Sequence, residues 1–158
     1  MSGHREAEEL AAGIERLFAL LARLRGGVGE PEVPPLSMTQ KLALALVVDS
    51  GPLRSRALGE LLETTEATAS RTVDGLVRAG LVRRRRDPDD GRGVRIEATA
   101  RGHRSVERRR AHLAGMLQGL LADLAVGEQT RLVVLLDSLN DTLERSRAER
   151  NATVGTGR

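Results

Sequence analysis

The chain has 158 residues, about one domain's worth, with 40% hydrophobic and 30% charged side chains, an ordinary soluble composition that permits a real core. It has no Cys, which excludes disulfides, thiolate metal sites, cysteine nucleophiles and thiol redox sensing, and Phe18 as the single aromatic argues against stacking platforms for single strands. No run approaches the roughly 18 apolar residues of a membrane helix and Met1 to Glu6 hold no signal-peptide core, so a cytoplasmic chain with no membrane partner is expected.

The formal net charge of +3 is unevenly spread. Residues 54–110 carry 15 basic and 9 acidic side chains, a net of +6, whereas residues 1–53 sum to −2 and residues 111–158 to −1. Such asymmetry points to a polyanion partner for the middle segment. Lys41 is the only Lys. The Arg excess reads either as a preference for a forked phosphate and base donor or as the imprint of a GC-rich genome, and the abundant Ala and Gly favour the second.

In chain order, Leu10, Ile14, Leu17, Leu21 and Leu24 recur at steps of 4, 3, 4 and 3, the seam of a helix that packs along another helix. Gly26, Gly27 and Gly29 followed by Pro31, Pro34 and Pro35 predict a linker; it lacks the Lys-Ser/Thr of a phosphate-binding loop. Ser37 and Gln40 have capping-box spacing and open a second helix to about Asp49, which Gly51-Pro52 stops. A short third helix covers about 55–62, with Ser55 as its cap. Thr65 caps a fourth helix to Ala79 with an apolar face of Ala69, Val73, Leu76 and Val77, and Gly80 ends it.

The period then changes. Residues 81–86 and the alternating Val94-Arg95-Ile96-Glu97-Ala98 flank the turn cluster 87–91, which predicts a β-hairpin with a charged tip. Thr99 caps a long fifth helix whose seam is Val106, Leu113, Leu117, Leu120 and Leu124. A last helix from about Gly127 carries Leu132, Leu136, Leu139 and Leu143, and from Arg147 the chain is polar and expected to fray.

The expected fold is therefore mainly α with a small β-hairpin wing: a winged helix-turn-helix over 36–99, flanked by long dimerisation helices at 5–25 and 100–146, in a single domain with a disordered tail at 147–158. Seams so apolar at both ends would bury each other best in a homodimer.

A recognition helix needs short polar side chains in its first turns and an Arg that reaches guanine or phosphate. Thr65, Ala67, Thr68, Ser70 and Arg71 supply that set, with Glu66 beside them; a solvated amphipathic helix would have much the same composition. At the hairpin tip, Arg92 could enter a narrow minor groove with Asp90 holding its guanidinium, or be a turn residue in water. Alternation puts Arg84 and Arg86 on one side of the strand and Arg83 and Arg85 on the other, so one pair can face phosphates; four consecutive Arg also keep an edge strand from aggregating.

From Leu36 to His103 the sequence resembles the MarR family of bacterial transcription regulators. The resemblance rests on Leu-Ser-Met-Thr-Gln (36–40), Ala-Leu-Gly-Glu-Leu-Leu (57–62), the run from Thr68 to Val82, Asp-Pro-Asp-Asp-Gly-Arg (87–92) and Ala-Thr-Ala-Arg-Gly (98–102), in that order and spacing. It implies a homodimer with interlocked terminal helices, recognition helices in successive major grooves of double-stranded DNA and wing tips in flanking minor grooves. It also implies an acidic–Arg pair at the wing, matched by Asp90 and Arg92. By analogy with ligand-released relatives, a small aromatic effector would meet Phe18, Met38, His112 or Met116, each of which also reads as plain core or surface. Three positions depart from the pattern. Thr64 replaces an apolar residue, Arg54 replaces a Ser or Thr cap and would reach a phosphate instead, and Ala125-Val126 replaces a Ser-Pro, which leaves the last helix without an evident cap.

No nucleophile elbow, His-Glu-x-x-His motif or acid pair with a buried base is present, so no enzyme is expected. His4, His103 and His112 lack metal-ligand spacing, Asp87, Asp89 and Asp90 lack the 12-residue frame of a calcium loop, and no cofactor or metal is implied. The reading is a sequence-specific regulator, a repressor relieved by a small molecule at a pseudo-palindromic operator. The rival is a winged-helix protein-interaction module that does not read DNA.

Overall fold

The computed structural model describes residues 2–25, 35–88, 90 and 93–155. The expected linker over 26–34 and the wing-tip Arg92 lie outside these residues. The order is α1 (Ser2–Arg25), α2 (Met38–Ser50), α3 (Ser55–Leu61), α4 (Glu66–Arg78), β1 (Val82–Arg86), β2 (Val94–Ala98), α5 (Ala100–Leu121) and α6 (Val126–Gly155). Read as one domain from the sequence, the chain divides into two compact units, Met1–Arg110 and Ala111–Arg158.

In the first unit, local chemistry opens the helices as the sequence predicts, with one exception. Ser37 Oγ accepts from the Gln40 N–H while Gln40 Oε1 accepts from the Ser37 N–H, a complete capping box for α2. Thr65 Oγ1 accepts from the Thr68 N–H and caps α4. At α3 the expected cap at Ser55 is corrected: Arg54, in extended backbone, holds the N-cap position with no side-chain capping bond, and Ser55 is already helical. Gly80 takes φ +69° after α4, as a left-handed helix stop requires, whereas the turn between α3 and α4 places Glu63 at φ 51° without glycine's freedom.

These short helices surround a core of Leu44, Leu58, Val73, Leu76, Ile96 and Val106, all essentially excluded from solvent. The α4 face departs from expectation at one position: Val77 is 36% exposed, and Gly75 is buried in its place. The reason is close approach. A Cβ on Gly75 would collide with the Gln40 side chain, so the residue that completes the α2 capping box also packs against α4.

Strands β1 and β2 are antiparallel, with Val82 opposite Ala98, Arg84 opposite Ile96 and Arg86 opposite Val94. Leu53 adds a bridge on the far side of β2, its N–H donating to Ile96 O at 3.1 Å and its carbonyl accepting from the Ile96 N–H at 2.7 Å. Thr99 joins the hairpin to α5: its hydroxyl donates to Gly80 O (2.8 Å) and accepts from the Gly102 N–H (3.1 Å). Gly102 is obligatory here, because a Cβ would overlap the Leu81 carbonyl oxygen.

In the second unit the missing Ser-Pro cap is explained. The Ala125 N–H donates to Glu128 Oε2 at 2.9 Å, and Gln129 Nε2 donates to Leu121 O and Leu124 O at the end of α5. Glu128 thus supplies the reciprocal half of a capping box at the start of α6, and Gln129 takes two carbonyls at the corner. The tail expected to fray from Arg147 is instead helical to Gly155, since no Gly or Pro interrupts the chain between Gly127 and Gly155.

A candidate nucleic-acid interface

Helix α4 buries Ala69, Val73, Gly75 and Leu76 and turns its N-terminal polar residues outward. Thr65, Glu66, Ala67 and Arg71 are exposed, and Thr68 and Ser70 are half-buried beside them. The Thr65 and Thr68 hydroxyls are 3.0 Å apart, and Arg71 Nε reaches back to Ala67 O at 3.3 Å. All five residues singled out from the sequence here are thus exposed or half-exposed at the start of α4.

The wing is laced to that helix. Arg84 donates from Nη1 to Asp74 Oδ1 at 2.7 Å and from Nη2 to Ser70 Oγ at 3.4 Å. Arg83 and Arg85, on the opposite face, both approach Glu97, at 3.0 and 3.7 Å. The expected split of the four arginines is thus observed, and it assigns them different work: Arg83 and Arg85 neutralise a cross-strand carboxylate, Arg84 spans wing and helix, and Arg86 is exposed.

At the wing root the structure brings together residues that sequence reasoning left apart. The Asp87 side chain is fully buried and accepts from Arg54 Nε (3.0 Å) and Nη2 (2.6 Å) on one oxygen and from Arg95 Nη2 (2.9 Å) on the other. Arg54 Nη2 also reaches Asp90 at 3.2 Å. Hydrogen bonding to Asp87 first, and the charge of that carboxylate second, raise the Arg54 pKa above its ordinary value, so it is a permanent cation. Asp90 thus holds Arg54; its expected pairing with Arg92 lies outside the described residues. Asp87, Asp74 and Arg95 were missed. The one available signal was Arg54 itself, a long cation where a small cap residue is usual.

Of the four expected effector contacts, Phe18 is 66% and Met38 63% exposed, while His112 and Met116 are half-buried. His112 Nε2 is buried without a hydrogen-bond partner. A crevice in the second unit is lined by Ala114, Leu117, Gln118, Leu121, Ala122 and Gln129, none of them among the four. No group of metal-ligating side chains occurs among the described residues, and no described helix is long and apolar enough to cross a membrane.

Residues 36–94, which hold α2 to the start of β2, match the sequence profile of the MarR family. The chain belongs to the MarR family. A probable transcriptional regulator from Pseudomonas aeruginosa is 32% identical over 82% of this chain and 92% of its own, with a TM-score of 0.57. The PcaV transcriptional regulator from Streptomyces coelicolor, solved with its natural ligand, is 30% identical over 84% of this chain and 89% of its own, with a TM-score of 0.56. FabT from Streptococcus pneumoniae, solved in complex with DNA, shares the fold at 18% identity, with a TM-score of 0.68 over 90% of this chain and 97% of its own. No protein of curated function matches the sequence. Membership of the MarR family makes the chain a winged-helix transcription regulator by fold and class rather than an enzyme.

Proposed function

We propose that this MarR-family chain is a homodimeric, sequence-specific repressor that acts on double-stranded DNA in the cytoplasm and releases it on binding a small aromatic molecule. The observation that carries the reading is the outward polar surface from Thr65 to Arg71 on a capped helix, tied by Arg84 to an arginine-rich wing. Thr68, Ser70 and Arg71 would read major-groove edges, Arg84 and Arg86 would meet phosphates, and Arg92 would sense minor-groove width. The FabT complex with DNA supports the assignment by fold.

The DNA-binding lobe is residues 36–99 and the dimerisation helices are 5–25 and 100–146. In support, Leu10, Leu17 and Phe18 on α1, and Val133, Val134, Leu135 and Leu136 on α6, are each at least half exposed in the single chain. So many exposed apolar side chains along each helix are rare on a monomer and are what a two-fold partner would cover. For the effector, the ligand complex of PcaV and the unpartnered His112 Nε2 are the supporting observations.

Titration of the protein against the promoter regions of its own and the neighbouring gene, across salt concentrations and beside random duplex, tests the reading. The expected result is binding about a thousandfold or more tighter than to random DNA, a steep salt dependence, and a pseudo-palindromic footprint with half-sites about 10 base pairs apart or a small multiple of that. Arg92→Ala should weaken binding and leave dimer and fold intact. Absence of binding at low salt would instead favour the protein-interaction module.

A further inference from the structure

We propose that Arg54 is a positioning residue that locks the root of the wing to the start of α3 and thereby sets where the wing tip meets the flanking minor groove; this rests on the DNA-reading function proposed above. Arg54 stands where a capping side chain is expected and does no capping. Its backbone position is set one residue earlier, where Leu53 and Ile96 exchange two hydrogen bonds. From there its guanidinium spans two carboxylates of the wing, Asp87 and Asp90.

The receiving side is built for it. Asp87 is fully buried, shares its second oxygen with Arg95, and closes the root through its own N–H to Gly93 O at 2.8 Å. The Gly93 N–H in turn donates to Asp90 O at 2.7 Å. A Cβ on Gly93 would stand 3.2 Å from Arg54 Nη2 and 3.1 Å from Asp87 Cβ, so the absence of a side chain there makes room for the guanidinium. Two five-residue strands are marginal as an independent ribbon, and the direction of the tip follows from how the root is held. Arg54 holds Asp87 through two nitrogens, Nε and Nη2, in a planar fork that an ammonium does not reproduce. Arg54 therefore acts on DNA through the wing instead of touching phosphate.

The test uses the full-length protein with Arg54→Thr, which supplies a capping side chain to α3 and leaves Arg95 on Asp87, and with Arg54→Lys, which keeps the charge and loses the fork. Amide hydrogen exchange on the free protein is expected to speed up about tenfold at Asp87, Gly93 and along β1 and β2 in Arg54→Thr, and by less in Arg54→Lys, with α3 and α4 unchanged. On operator DNA, hydroxyl-radical protection of the flanking minor grooves should be lost while major-groove methylation protection persists. Unchanged wing exchange would overturn the proposal, as would faster exchange with an intact minor-groove footprint. If the wild-type protein protects no duplex, the regulator reading fails, and the exchange measurement alone decides whether Arg54 holds the wing.

Discussion

Arg84 on β1 and Asp74 on α4 meet at 2.7 Å, and the same guanidinium reaches Ser70 at 3.4 Å. The two elements expected to enter different grooves of one duplex are thus joined by a single side chain. Both partners are partly exposed, 38% and 44%, so the pair contributes little stability and its effect is geometric.

Arg84→Ala should change unfolding free energy by only about 0.5 kcal/mol and weaken operator binding by about tenfold. Asp74→Asn should do the reverse at the DNA: freed of its carboxylate, Arg84 would bind random duplex more tightly and the specificity ratio would fall. Denaturant unfolding and parallel titrations of operator and random DNA separate these outcomes.

Gly102→Ala should destabilise the first unit by about 3 kcal/mol, since the new methyl would overlap the backbone oxygen of Leu81, which has no free end to yield. Gly115→Ala on the same helix meets nothing within 4 Å and should stabilise by about 0.5–1 kcal/mol through helix propensity. Opposite signs in urea midpoints are the check.

Thr65→Ala removes the acceptor for the Thr68 N–H and should lower stability by about 1 kcal/mol. Thr65→Ser should restore most of it. Should the Ala variant unfold at the wild-type midpoint, the cap is not contributing.

Leu136→Glu places a charge in the exposed apolar stretch of α6. If that stretch is covered by a second copy, sedimentation should show the variant as a monomer, and the wild-type melting temperature should rise with protein concentration while the variant's does not.

The layout of this protein was legible because it rests on short-range chemistry. Ser37 with Gln40, Thr65 with Thr68, and Gly80 at positive φ act within four residues, and the change of period at Val94 marks a strand without reference to the rest of the chain. The polar face from Thr65 to Arg71 was legible for the same reason: helical periodicity alone puts it opposite Val73 and Leu76. Ser55 was misjudged as a cap, and Val77 as buried, because each depends on what lies across the fold: Arg54 committed to the wing, and Gln40 pressed against Gly75.

The partners of the charged residues belong to the same class. Asp87 is 33 residues from Arg54, and nothing local distinguishes a carboxylate in a turn cluster from one with no exposed side-chain surface and two arginines upon it. Local hydrogen bonding and periodicity are written along the chain, so the sequence by itself determined the helices, the hairpin and the polar face. Which arginine neutralises which carboxylate depends on distances set only when the α2–α3 connection packs against β2, and the tertiary structure alone decided it.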